Sequence, residues 1–200
     1  MIPFIAIFAI LCIIFMLLVK RSNRSVQKKR EQFWQTEREA DSVRKQDISH
    51  LDYIYIPMEL LPFGTDPSPE VQKLETTIRT LDSAKILNLG QYTNTELKLQ
   101  YGVANLPFLS ECDDRYTRLV RALYQWACLL LEHDHLPEAI QVARCSIDLG
   151  SDVAGCYYML CDYYASVGDT ESIHRLQTAA DHLTGLQADS IKDYLSKSLT

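Results

Sequence analysis

Glycine and proline are scarce, seven of each in 200 residues, which excludes a collagen-like or low-complexity chain. Several short patterns are missing as well. The chain has no Cys-x-x-Cys pair, no glycine-rich phosphate loop and no Gly-x-Ser-x-Gly turn, the local arrangements that carry thiol redox, phosphate binding and serine-nucleophile chemistry. No cysteine has the nearby His and Asp that would mark a nucleophile. Basic charge is short over most of the length. Residues 46–200 hold 11 Lys/Arg against 22 Asp/Glu, out of chain totals of 20 and 26. That acidic balance argues against nucleic acid as the main ligand.

What is present begins with one apolar run, IPFIAIFAILCIIFMLLV over residues 2–19. Eighteen helical residues reach about 27 Å, close to the ~30 Å hydrocarbon core of a bilayer. A cleaved signal peptide would need a basic leading region and a small-residue cleavage site, and neither the first three residues nor MLLVKRSNR supplies them. The run therefore reads as a retained single-pass anchor over 1–19. The next eleven residues, KRSNRSVQKKR, carry six Lys/Arg and no acid. By the positive-inside tendency the body that follows is expected on the cytoplasmic side. Five cysteines outside the anchor (Cys112, Cys128, Cys145, Cys156 and Cys161) fall in apolar helical stretches, as expected of reduced thiols in a core. The basic run is first a topology signal. Contact of Lys20, Arg21, Arg24, Lys28, Lys29 and Arg30 with anionic lipid head groups is a second reading, with Phe33 and Trp34 beside them at the interface.

Residues 20–50 read as a basic, polar, helical stalk. From 51 to 68 Pro57, Pro62, Pro67 and Gly64, with Pro69 just beyond, forbid a long helix, leaving an extended piece or strap in which Leu51, Tyr53 and Tyr55 alternate. Helical signals then return. Ser68, Pro69 and Glu70 suit a helix start, and Val71, Leu74, Ile78 and Leu81 share a face. A short helix follows in TNTELKLQYG, closed by Gly102. SECD at 110–113 has the capping-box spacing and is expected to open a long helix. The helices within 69–103 are expected to pack on what comes next.

Beyond residue 120 the chain repeats itself. Leu123 falls on Tyr157, Trp126 on Leu160, Ala127 on Cys161, Leu130 on Tyr164, Asp134 on Gly168, Ala139 on Ile173 and Ser146 on Ala180, each pair 34 residues apart. That period and pattern resemble the tetratricopeptide repeat. The resemblance covers about 121–184, with units at about 121–153 and 155–187 and a capping helix at about 187–199. In that family the paired residues at Trp126-Ala127 and Leu160-Cys161 are Leu-Gly, the aromatic stands where Leu130 and Tyr164 are, and small residues press the two helices together at Ala139, Ser146 and Ala180. Ile173 in place of a small residue, Asp134 in place of the turn glycine, and the lack of a closing proline are departures.

The fold expected is thus all-α: one N-terminal transmembrane helix, then a tetratricopeptide-like (TPR-like) domain of helical hairpins, a short α-solenoid, over 69–200. The resemblance implies a groove lined by the first helix of each pair, which takes a peptide or partner helix. The matching positions are Arg121, Tyr124 and Cys128 in one unit, and Tyr158 and Asp162 in the next, with Tyr residues suited to interface contact. A basic clamp for a peptide carboxylate is not evident, because Arg118 and Arg121 have no counterpart in the second unit.

The densest polar cluster, EHDH at 132–135, is then the turn between two helices. Pro137 and Glu138 suit the following helix start and His133 the preceding helix end. His133 and His135 stand two apart, without the paired ligand spacing of a zinc site. His174 and His182 lie eight apart on one helix and read as surface residues. No metal, cofactor or catalytic residue is expected. The function expected is that of a membrane-tethered adaptor that binds a protein partner. The alternatives are an outward-facing accessory in envelope assembly or secretion, and a metal-dependent enzyme subunit using the His, Asp and Glu positions.

Overall fold

A computed structural model describes residues 2–184 and 187–198, with the side chains of 2–14, 17 and 21–25 left aside. Among the described residues the chain is all-helical, without strands. The helices are α1 Ile2–Ser42, α2 Pro69–Asp82, α3 Asn94–Tyr101, α4 Leu106–Glu132, α5 Leu136–Asp148, α6 Ala154–Ser166, α7 Thr170–Asp181 and α8 Ala188–Lys197. Among the described residues no helix is long and apolar enough to cross a membrane. The anchor expected over 1–19 falls largely on side chains outside those described. The chain forms two compact units, 1–48 with 92–106, and 49–91 with 107–200.

In the first unit the expected stalk is helical only to Ser42, and α3 packs on its end. The sequence reading placed α3 with the first hairpin. Polar complementarity explains its actual position. Lys98 Nζ reaches Glu37 Oε2 at 3.0 Å and Asp41 Oδ1 at 2.8 Å, while the Thr95 hydroxyl donates to the other Glu37 oxygen. These bonds lower the Glu37 pKa, Thr95 being the main cause, and the two carboxylates raise that of Lys98. Thr93 and Glu96 form a reciprocal capping box at the start of α3. At its end Gly102 adopts φ +85°, and a Cβ there would overlap the Arg44 carbonyl. Only glycine fits. The buried Asn105 amide ties the unit together, donating to the carbonyls of Gln46 and Tyr101 at 2.8 Å each.

In the second unit α2 begins at Pro69 as its signals predict, and buries Val71, Ile78 and Leu81. The Ser68 side chain makes no cap bond; instead Asp66 accepts the Ser68 N–H at 2.7 Å. Residues 51–68 form an apolar strap whose inward residues are Ile56 and Leu61, while Tyr55 is 84% exposed. The alternation of Leu51, Tyr53 and Tyr55 does not carry through the strap: Leu51 and Tyr53 are half-buried and Tyr55 exposed, while Ile54, Met58 and Phe63 pack on the core. Phe63 lies on the buried Trp126, ring centres 5.2 Å apart, under the Arg79 guanidinium at 3.9 Å. The buried Glu75 accepts the Gly64 N–H at 2.8 Å.

Helix α4 starts at Leu106, not at the SECD box. Pro107 fills the first turn, where its missing N–H is no loss, and the residues of that box serve elsewhere. Glu111 pairs with Arg115 along the helix, and Asp113 accepts the Leu89 N–H at 2.8 Å.

The 34-residue correspondence reappears in the backbone. Helices α4 and α6 end at Glu132 and Ser166, and α5 and α7 begin at Leu136 and Thr170, each pair 34 apart. In the turns between, His135 N–H donates to Leu130 O at 2.8 Å and Asp169 N–H to Tyr164 O at 2.9 Å. Asp134 and Gly168 sit at φ +63° and +73°, and Asp134 is alone among the described non-glycine residues in that region. The paired core positions match as well: Leu123 and Tyr157, Trp126 and Leu160, Ala127 and Cys161, Leu130 and Tyr164 are all buried. Helix α6 packs on α5, α7 and α8, and α7 on α8. Helix α8 buries Ala188, Ile191 and Leu195 and turns Asp189, Lys192, Asp193 and Lys197 outward.

Candidate functional site

The residues expected to line a groove come from α4 and α6. Arg121 and Asp162 are exposed, and Tyr124, Cys128 and Tyr158 half-buried. The Tyr124 ring of α4 lies over Gly155 near the start of α6, where a Cβ would overlap it. The adjacent Cys128 thiol raises the Tyr124 pKa. One edge of the surface is already engaged. Tyr194 of α8 lays its ring on Tyr158, centres 4.4 Å apart, and donates its hydroxyl to Asp162 Oδ1 at 2.6 Å. That bond pushes the Tyr194 pKa up to about 12. The accessible face is therefore Arg121, Tyr124 and Cys128, continued by Tyr158 and Asp162 with Tyr194 as a third aromatic. Sequence reading missed Tyr194. Its signal was position: it stands three residues past the buried Ile191 on the capping helix.

The EHDH cluster is a turn, with α4 ending at Glu132 and α5 starting at Leu136. It also makes a contact the sequence did not announce. Asp134 at positive φ places His133 and His135 on the side of Asp66, a strap residue only 4% exposed. His133 Nδ1 stands 2.5 Å and His135 Nε2 3.7 Å from Asp66 Oδ2. Hydrogen bonds from Ser68 are the main cause holding the Asp66 pKa down to about 2, burial opposing them and His133 assisting. The cluster thus latches the strap to the turn. Among the described residues no group of three or more His, Cys, Asp and Glu is placed to hold a metal ion. His174 Nδ1 lies 3.0 Å from Gln177 Oε1 on the α7 surface, and His182 follows α7.

The thiols are free. Burial pushes Cys145 and Cys156 up to about 11, which keeps them protonated and weakly nucleophilic near neutral pH. Of the basic run, Lys20, Lys28, Lys29 and Arg30 are exposed on α1, while the side chains of Arg21 and Arg24 lie outside those described. Phe33 and Trp34 are exposed and packed edge to face, centres 5.4 Å apart. Comparison with family models, with characterised proteins and with solved structures finds no match.

Proposed function

We propose that this chain is a non-catalytic, membrane-tethered adaptor whose helical hairpins recruit a protein partner on the face of α4 and α6. The observation that carries the reading is the row of half-buried Tyr124, Cys128 and Tyr158 side chains, flanked by the exposed Arg121 and Asp162. Aromatic rings with a polar tip contribute large contact area at low entropic cost. The matched turns and core positions support a TPR-like stack, the architecture that leaves such a face open. Proton-holding thiols and surface histidines suit a surface that binds without reacting.

The tether follows from the apolar run at 2–19 and the basic flank behind it, with the body on the cytoplasmic side. It raises local concentration, so modest contact suffices. Continuity of α1 to Ser42 refines the lipid reading. At about 1.5 Å per residue, Phe33 stands about 21 Å beyond Val19 along the axis, outside an interfacial layer of about 5–10 Å. In an upright helix Lys20, Arg21 and Arg24 meet head groups, and Phe33 with Trp34 faces water.

The test uses the full chain in its membrane, because α3 packs on α1. A photo-crosslinking residue replaces Cys128 on the open face, or Glu138 on the first turn of α5. A discrete adduct from position 128, absent from 138 and lost in Tyr124→Ala/Tyr158→Ala, is expected. Equal adducts from both positions, or an adduct undiminished in the double variant, would dispose of the groove.

A further inference from the structure

The face of α1 that α3 covers continues uncovered toward the start of the helix. Helix α3 and the turn after it pack on the end of α1, where Ala40 is fully buried. Phe33 and Val26 stand seven and fourteen residues before Ala40, close to the same line of the helix. They are 54% and 60% exposed, and Trp34 beside them is 53% exposed. Phe33 and Trp34 already hold each other edge to face. Exposed apolar patches of this kind mark contact sites, and aromatic and arginine side chains are the residue types that anchor them.

Charge along this face changes sign. Where α3 sits, α1 offers Glu37 and Asp41, and α3 answers with Lys98 at 3.0 and 2.8 Å. Nearer the start of the helix the offer is basic. Trp34 lies between Arg30 and Arg38 in a shallow cleft of about 410 Å³, lined also by Gln27 and Glu31. Among the described residues neither arginine is in an ion pair. Each stands four residues from Trp34, so the two guanidiniums bracket the indole over about 12 Å of helix.

That charge selects the occupant. A second copy rooted in the same membrane would set Lys28, Lys29 and Arg30 against themselves, a like-charge juxtaposition that disfavours pairing. On the upright tether proposed above, Phe33 and Trp34 stand clear of the head groups. A helix with an apolar strip and carboxylates beside it meets both the rings and the guanidiniums. We propose that the bare face of α1 over 26–38 binds an acidic amphipathic helix of another protein. Its apolar strip seats on Val26, Phe33 and Trp34, and its carboxylates pair with Arg30 and Arg38. Exclusion of the bilayer rests on the tether reading; nothing in the inference rests on the α4 and α6 face.

The experiment measures fluorescence anisotropy of a fluorescein-labelled, end-capped helical peptide titrated with the full chain in neutral detergent. The peptide carries leucines at heptad spacing flanked by glutamates, and the control has glutamine for every glutamate. The glutamate peptide is expected to bind and the glutamine peptide to bind about tenfold or more weaker. Phe33→Ala/Trp34→Ala weakens binding by about thirtyfold or more, as for loss of interface anchors. Arg30→Gln weakens it about threefold or more, whereas Lys28→Gln, on the opposite side of the helix, changes it less than about twofold. The substituted side chains are exposed, so the urea midpoint should match the parent in every variant. No binding to the parent, an undiminished Phe33→Ala/Trp34→Ala titration, or equal loss from Arg30→Gln and Lys28→Gln overturns the inference. Two further results overturn it by naming another occupant. A photo-crosslinking residue at Gln27 that joins two copies of the chain in the membrane assigns the face to self-association. Quenching by brominated lipid that is present in the parent and absent in Trp34→Phe assigns it to the bilayer and ends the upright tether as well. Loss of peptide binding without that quenching ends the inference alone.

Discussion

Exchange of residue type between the two matching turns tests whether α4–α5 and α6–α7 are one unit written twice. Gly168 has φ +73° and Asp134 φ +63°. Nothing lies within 4 Å of a Cβ built on Gly168, so Gly168→Ala meets no neighbour and its effect is purely one of backbone. A Cβ in the left-handed region costs about 1–2 kcal/mol. Reduced freedom of the unfolded chain returns about 0.4–1 kcal/mol, leaving a net loss near 1 kcal/mol. For a unit of this size that is a fall of about 2–4 °C in melting temperature.

Asp134→Gly runs the opposite way. It relieves the same strain and loosens the unfolded chain, and because Asp tolerates this region better than Ala the result is a change within about 0.5 kcal/mol of zero. The assay is urea unfolding of the full chain in mild detergent, read by tryptophan emission in a Trp34→Phe background. Emission then reports the buried Trp126 alone. A Gly168→Ala chain as stable as its parent would refute the reasoning. So would Asp134→Gly costing as much as Gly168→Ala, since the two turns would then not share a conformation.

Four further outcomes follow from named contacts. Gly102→Ala forces a Cβ into the Arg44 carbonyl at φ +85° and costs about 3 kcal/mol or more; amide hydrogen exchange should speed up across Asn94–Tyr101 and leave α6 protected. Trp126→Ala empties a fully buried site under Phe63 and costs about 3–5 kcal/mol, seen as loss of the cooperative urea transition or a large fall in its midpoint. Asp66 has its pKa held down to about 2 in the folded chain, below its unfolded value of about 3.9. Its contribution is therefore present above about pH 4 and is lost as the pH falls from 4 toward 2; Asp66→Asn should flatten the urea midpoint over that window. Gly155→Ala drives its methyl into the Tyr124 ring at about 1–3 kcal/mol of overpacking, and the position-128 cross-link should weaken with it.

Legibility differed by the range of the forces involved. Helices α2, α5 and α7 were readable because Pro69, Pro137 and the Gly168-Asp169 pair act within a turn of where they stand. The repeat was readable because burial recurs at a fixed interval. Failures came where a side chain had a choice of partner. The SECD spacing is a valid cap pattern, yet Asp113 finds the Leu89 N–H and Glu111 finds Arg115, so the helix passes through it. Thr93 and Glu96 form the cap that SECD does not. Asp66 and His133 are separated by 67 residues, and nothing local marks the pair.

The two hairpins share a backbone but not a covering, and that difference bears on function. At the first turn His133 is held against Asp66 and the strap crosses the hairpin. At the second the equivalent residue is Val167, 58% exposed, which has no polar group to hold a strap carboxylate. Helix α8 lays its apolar face, Ala188, Ile191 and Leu195, on α6 and α7. The strap also crosses α5 at Leu60, whose carbonyl takes the Gln141 amide at 2.6 Å. On the adaptor reading proposed above, a partner seated beside Tyr124 and Tyr158 would meet Arg121 and Asp162 in a fixed order.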